Sequence, residues 1–151
     1  MRRAAAAALT ALLLGGCGNA APARPTPQPV PEGADCVLKH PSHDVLSLKQ
    51  LPPNIRGALA KLSGGGMADR GEFFNATDVI MTPAPAQRFI RAGETQGKWF
   101  VWFEHGGIAY WRQVVLFAID PSGTVHVEKN VTAHGAGLCD VTDALLDGRP
   151  Q

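Results

Sequence analysis

The chain has 151 residues, with 14 basic and 13 acidic side chains and a formal net charge of +1. This balance gives no charge excess that would attract nucleic acid, so no nucleic-acid partner is predicted. The length fits one small domain, and the frequent glycine and proline with only 18% charged residues favour a loop-rich exported domain over a long-helix protein.

The first residues have the pattern of an export signal, in which Arg2 and Arg3 precede an apolar run over residues 4–14. This run is too short to span a membrane, which takes about 20 residues. Leu14-Gly15-Gly16-Cys17 resembles the lipobox of bacterial lipoproteins. The resemblance implies cleavage before Cys17 and acylation of its thiol, so that the membrane becomes a partner through the lipid. The alternative is an ordinary signal peptide cut elsewhere, with Cys17 incidental.

A proline-rich segment follows the cysteine. Five prolines fall between Gly18 and Gly33, and a polyproline-like chain at ~3.1 Å per residue would hold a domain up to ~40 Å from the membrane. We therefore predict a signal peptide over residues 1–16, an acylated cysteine and tether over residues 17–34, and one domain over residues 35–151. Gram-negative lipoproteins kept in the inner membrane often have aspartate directly after the cysteine. Gly18 therefore favours the outer membrane in a Gram-negative host.

The remaining cysteines, Cys36 and Cys139, form an even pair once Cys17 is assigned to lipid. In an oxidising compartment such a pair is expected to form a disulfide. Closing a loop of this length would stabilise the fold by up to ~4.7 kcal/mol in the entropic treatment. The alternative is two buried free thiols. A redox site is not predicted, because there is no C-x-x-C spacing.

The first half of the domain shows weak patterns. Residues 36–51 indicate irregular chain with one short strand. After Pro52 and Pro53, Asn54 is predicted to cap a short helix that ends at residues 63–66. Ile55, Leu59 and Leu62 would share one face of this helix. Short strands are predicted near residues 72–76 and 78–81.

The second half predicts an antiparallel meander with strands over residues 87–92, 98–105, 108–119 and 124–131. A two-residue loop at Gly106 and Gly107 would place Trp102 opposite Trp111. A turn over residues 120–123 would place Ile119 opposite Val125, and Phe117 opposite Val127. Asp140 is predicted to cap a last helix over residues 141–147.

These elements predict an α+β fold, with a four- to six-stranded antiparallel meander sheet and short helices near both ends, closed by one disulfide. Alternation along the strands sorts the side chains into two faces, and both are apolar enough to require cover. The predicted core face carries Phe100, Trp102, Trp111, Val115, Phe117, Ile119, Val125 and Val127.

The other face supplies the candidate binding residues, because aromatic and arginine side chains dominate binding hot spots. They are Trp99, Phe103, Tyr110, Arg112 and His126. The alternative is that the aromatic side chains pack beneath the N-terminal segment while Arg112 pairs with a carboxylate such as Glu128.

Catalytic and metal sites are not predicted, and neither is a cofactor. His40 and His43 lack further converging ligands, and zinc needs three or four. Glu104 and His105 are neighbours on a strand and point to opposite faces. Residues 134–137 are glycine-rich, but the helix predicted after them begins too late for a phosphate loop.

Three functions remain open. The leading interpretation is a non-enzymatic, membrane-tethered lipoprotein of the cell envelope whose domain binds a protein or another envelope component, such as a glycan. The first alternative is an envelope hydrolase that acts on a glycan or peptide, with Glu104, Asp78 or His105 as acid/base groups. The second is a structural envelope protein with no discrete ligand.

Overall fold

The computed structural model describes residues 26–79 and 83–149. The predicted signal peptide and the predicted acylation site, Cys17, lie outside these residues. The strands are β1 (His43–Val45), β2 (Gln87–Thr95), β3 (Lys98–His105), β4 (Trp111–Ile119) and β5 (Val125–Thr132). The helices are α1 (Pro53–Leu62), α2 (Leu138–Leu146) and a 3-10 turn, Leu48–Gln50. Among the described helices, none is long and apolar enough to cross a bilayer.

The five strands form one sheet in the order β1-β2-β3-β4-β5, and every neighbouring pair is antiparallel. This arrangement confirms the predicted α+β fold with a meander sheet. The predicted disulfide is confirmed as well, and it joins Cys36, in the chain before β1, to Cys139 in α2. The backbone N–H of Lys39 donates to both carboxylate oxygens of Asp143 at 3.1 and 3.2 Å, so the same segment is fastened to α2 a second time.

Both faces of the sheet are covered, as the alternation predicted. On one face Phe100 and Trp102 pack beneath α2, and on the other Val101 and Phe103 pack beneath α1. The α2 side also includes Ile90, Val114, Leu116, Leu138, Val141 and Leu145. The α1 side also includes Phe89, Val115, Phe117, Ile55 and Leu59. The central strands are therefore buried on both sides, which accounts for their nearly continuous apolar sequences.

The predicted register of the β3–β4 hairpin is wrong. The loop is longer than two residues, and His105 pairs with Trp111 while Trp102 pairs with Val114. A tertiary contact sets the loop: the N–H of Gly106 donates to Ala86 O at 2.8 Å, and a Cβ on Gly106 would overlap the carbonyl oxygen of Asn75. The backbone at Gly106 therefore packs directly against the backbone of Asn75 and Ala86 before the chain turns.

This register error has a large consequence for the predicted faces. The observed pairing differs from the predicted pairing by three residues, and an odd shift moves every side chain of one strand to the other face relative to its partner. Val115 and Phe117 accordingly lie with Phe103 on the α1 side rather than with Trp102, so the predicted core face mixes two faces. The β4–β5 turn was predicted correctly, with Ile119 opposite Val125 and Phe117 opposite Val127.

Several element boundaries also differ. Helix α1 begins at Pro53 after an N-terminal cap at Pro52, so Asn54 lies inside it. Helix α2 begins at Leu138, three residues before the predicted start, and Asp140 lies in its first turn. Strand β4 begins at Trp111 rather than at residue 108. No strand forms over residues 72–76, where Phe74 is buried in irregular chain. The predicted strand over residues 78–81 lies partly outside the described residues, and residues 78 and 79 are not in a strand.

The predicted tether is partly docked on the domain. Val30 packs against the α2-side core, and Ala34 is 1% exposed. The carbonyl oxygens of Gln28 and Pro29 accept hydrogen bonds from the buried Arg88. The folded unit therefore begins near residue 28 rather than at residue 35.

Candidate functional site

A buried arginine organises the end of the sheet at which the N-terminal segment joins the domain. Arg88, on β2, is 3% exposed. Its Nη1 and Nη2 donate to the carbonyl oxygens of Gln28 and Pro29 at 2.9 and 2.7 Å, and its Nε donates to Glu104 Oε1 at 2.5 Å. The guanidinium lies 4.6 Å from the centre of the Phe74 ring, a cation–π contact. One side chain thus joins the N-terminal segment to two central strands.

Glu104 completes this network on β3. Its second carboxylate oxygen, Oε2, accepts a hydrogen bond from the Tyr110 hydroxyl at 2.5 Å. Burial raises the pKa of Tyr110, and the hydrogen bond and negative charge of Glu104 raise it further. Tyr110 therefore remains a protonated donor at neutral pH. Because both oxygens of Glu104 are occupied by Arg88 and Tyr110, this carboxylate is held in a structural network.

The neighbouring histidine belongs to a different environment. His105 stacks on Trp111 with ring centres 4.5 Å apart, and its Nε2 lies 2.8 Å from Gln113 Oε1. Burial lowers the pKa of His105, which the hydrogen bond to Gln113 partly offsets. Burial therefore favours the neutral form of the His105 imidazole. It is directed away from the Arg88–Glu104 network, as strand alternation requires.

The five residues of the predicted binding face do not form one surface. Phe103 is 1% exposed in the α1-side core, and Trp99 is partly buried against the same core. Tyr110 lies in the β3–β4 loop, Arg112 is partly buried on the opposite face of the sheet, and His126 is exposed on β5. The predicted face is wrong as a unit, because it depended on the β3–β4 register. The alternative pairing of Arg112 with Glu128 is not observed, since Glu128 binds Lys98 Nζ at 2.6 Å.

Two of those residues, Tyr110 and Arg112, do come together in a cleft. It has a volume of ≈ 570 Å³ and lies between residues 31–33 and Gly135–Gly137. Tyr110 is 50% exposed. Arg112 makes two long hydrogen bonds, from Nη1 to Glu32 O at 3.3 Å and from Nη2 to Ala136 O at 3.4 Å. The cleft thus combines an accessible aromatic ring with a weakly held guanidinium.

The helix that follows the glycine-rich residues 134–137, beside this cleft, begins earlier than the sequence analysis predicted. Because α2 begins at Leu138, Gly137 caps the helix directly. The helix start is nevertheless unsuited to an anion, since the carboxylate of Asp140 lies against Gly137. Negative charge is therefore already present where a phosphate would approach.

Sequence reasoning missed Arg88 altogether, although a signal was present. Arg88 and Glu104 carry opposite charges, they pair directly across β2 and β3, and Glu104 follows the strongly apolar run over residues 99–103. A charge in a buried strand implies a partner. His40 and His43, which the sequence analysis did not assign as metal ligands, have separate environments: His40 binds Asp147 at 2.8 Å, and His43 is exposed on β1. Within residues 26–79 and 83–149, no three histidine, cysteine or acidic side chains are arranged to hold a metal ion.

Comparison with known proteins gives no match to any protein-family model, curated protein or solved structure. The function is therefore inferred from the N-terminal sequence and from the contacts at this end of the sheet. The chemistry available in the cleft is hydrogen-bond donation from Arg112 and contact with the ring of Tyr110, both of which suit recognition of a polar partner.

Proposed function

We propose that this protein is a lipid-anchored exported protein whose small domain binds a protein or glycan of the cell envelope through the cleft at Tyr110 and Arg112. The anchor rests on the sequence at Cys17, and Gly18 supports delivery to the outer membrane in a Gram-negative host. The observation that carries the proposal is the bond between Cys36 and Cys139. It supports an oxidising compartment and leaves Cys17 as the cysteine outside the pair.

Binding is favoured over hydrolysis by the burial and the hydrogen bonds of the charged groups. Glu104, the best placed carboxylate for acid/base chemistry, is 1% exposed, and both its oxygens are already in hydrogen bonds. Within the described part of the chain, Arg112 instead donates two long hydrogen bonds to carbonyl oxygens, so a carboxylate or hydroxyl of a partner can replace those contacts with shorter ones. Tyr110 offers ring surface beside it.

The anchor is tested by Cys17→Ser. We expect wild-type protein in the membrane fraction with a mass increased by acyl chains, and Cys17→Ser protein without that mass and with greatly reduced membrane association. The serine removes the thiol to which the lipid is attached. Mass spectrometry of the purified protein and fractionation of the producing cells give the two readouts. Equal membrane association of an unacylated variant would contradict the proposal.

The cleft is tested by photo-crosslinking in the producing cells. A benzophenone amino acid at Tyr110 is expected to give a discrete crosslinked product, and the same group at Ser122, in the exposed β4–β5 turn, is not. Adding Arg112→Gln should lower the yield at Tyr110 by about tenfold, since a lost charge-assisted hydrogen bond costs roughly 1.5 kcal/mol. Equal products at both positions would contradict a specific cleft.

A further inference from the structure

We propose that the tip, Gly107–Ala109, of the β3–β4 loop (residues 106–110) rests on the bilayer that holds the lipid on Cys17, and so orients the domain on the membrane. This inference depends on the lipid anchor of the proposed function and adds a second, non-covalent contact with the same membrane. The proposed partner is a lipid surface, which the apolar tip of the loop contacts.

The loop has the composition of an interfacial segment. It contains no charged residue and reads Gly-Gly-Ile-Ala-Tyr, followed by Trp111. Ile108 is 96% exposed, whereas the four apolar residues at the centre of β3, residues 100–103, are at most 1% exposed. Contact with lipid would remove the Ile108 side chain from water.

The loop is held at both ends, so Ile108 is presented and cannot fold back easily. At its start, Gly106 donates a hydrogen bond to Ala86 O and packs against Asn75. At its end, the Tyr110 hydroxyl binds the buried Glu104. The exposed isoleucine therefore lies between two fixed points at the extremity of the sheet.

The position of the loop relative to the anchor is the main argument. Glu104 joins Tyr110 to Arg88, and Arg88 holds the backbone of Gln28 and Pro29. Residues 28–31 and Tyr110 also line one shallow cleft. The chain that arrives from Cys17 thus joins the domain beside the loop.

The opposite end of the sheet is much farther from this junction. It carries the β2–β3 turn at residues 96–97 and the β4–β5 turn at residues 120–124, and a nine-residue strand separates the two ends by about 27 Å. Only ten residues lie between Cys17 and Gln28. The loop is therefore the part of the domain that meets the bilayer most readily. A weak contact is enough, because a short tether gives an effective concentration of about millimolar.

The test uses the full acylated protein in vesicles of phosphatidylethanolamine and phosphatidylglycerol. An environment-sensitive fluorophore is attached through Ala109→Cys, beside Ile108, or through Ser122→Cys in the β4–β5 turn as a matched control. Labelling is done without reductant, and an intact mass verifies the disulfide between Cys36 and Cys139. Lipids that carry a quencher are then added to the vesicles.

We expect quenching at Ala109→Cys at least about twofold stronger than at Ser122→Cys, because interfacial segments enter the headgroup region by about 5–10 Å. Adding Ile108→Asp should reduce quenching at Ala109→Cys to the level of the control, since a charged side chain disfavours the apolar contact. Equal quenching at both positions in vesicle-bound protein would overturn the inference. Vesicle flotation separates the two proposals: protein that fails to float contradicts the lipid anchor, and protein that floats with an unquenched loop contradicts the loop contact alone.

Discussion

Replacement of Arg88 by methionine is expected to lower the free energy of unfolding by about 3–5 kcal/mol, because it leaves the buried Glu104 carboxylate without its charged partner. The arginine is 3% exposed, and its Nε lies 2.5 Å from Glu104 Oε1. The change also removes the donors to Gln28 O and Pro29 O, which fasten the N-terminal segment. Urea denaturation followed by tryptophan fluorescence measures the loss.

Two control variants separate the charge effect from the loss of a large side chain. Arg112→Met removes an arginine whose hydrogen bonds are long and partly exposed, and should cost less than about 1 kcal/mol. Adding Glu104→Leu to Arg88→Met should restore part of the stability, because no uncompensated charge then remains buried. If Arg88→Met and Arg112→Met had equal effects, the buried ion pair would not have the assigned role.

Removal of the disulfide by Cys36→Ala with Cys139→Ala is expected to lower the free energy of unfolding by about 2–4 kcal/mol. The bond closes a sequence separation of 103 residues, so in the entropic treatment it restricts the unfolded chain strongly. It also joins α2, which covers one face of the sheet, to the segment before β1. Urea denaturation of oxidised and variant protein measures the difference.

Wild-type protein denatured in the presence of dithiothreitol is the matched control, and it should approach the stability of the double variant. The remaining contacts of the segment with α2, from Lys39 N to Asp143 and from His40 to Asp147, persist in both cases. Oxidised wild type and double variant with the same urea midpoint would show that these contacts hold α2 without the bond.

Local sequence patterns predicted the bounds of β3 and the register between β4 and β5. Strand β3 begins and ends at the predicted residues, Lys98 and His105, because glycine-containing turns bound a run of aromatic and β-branched residues. The β4–β5 register also follows from its turn alone, in which Asp120 Oδ1 accepts hydrogen bonds from Ser122 N and Thr124 N. In both cases the determining contacts lie within a few residues along the chain.

The candidate site was harder to predict because it depends on contacts between distant residues. The β3–β4 loop is set by the approach of Gly106 to Asn75 and Ala86, which no local pattern reveals. The resulting odd shift in register separated Phe103 from Arg112 and brought Tyr110 to the cleft instead. The docking of Gln28 and Pro29 could not be predicted either, because it uses backbone carbonyl oxygens and the proline-rich segment shows no apolar pattern that indicates packing.

By itself, the amino-acid sequence determined the fold class, the sheet order along the chain and the pairing of the two later cysteines, because turn chemistry, alternation and cysteine number are local or countable properties. It also supplies the resemblance at Leu14–Cys17 on which the proposed anchor rests. The tertiary structure alone decided which side chains share a face, that residues 28 and 29 dock on the domain, and that Arg88, Glu104 and Tyr110 form one network. Those properties depend on the register and docking of distant segments, and a shift of an odd number of residues is enough to exchange the two faces.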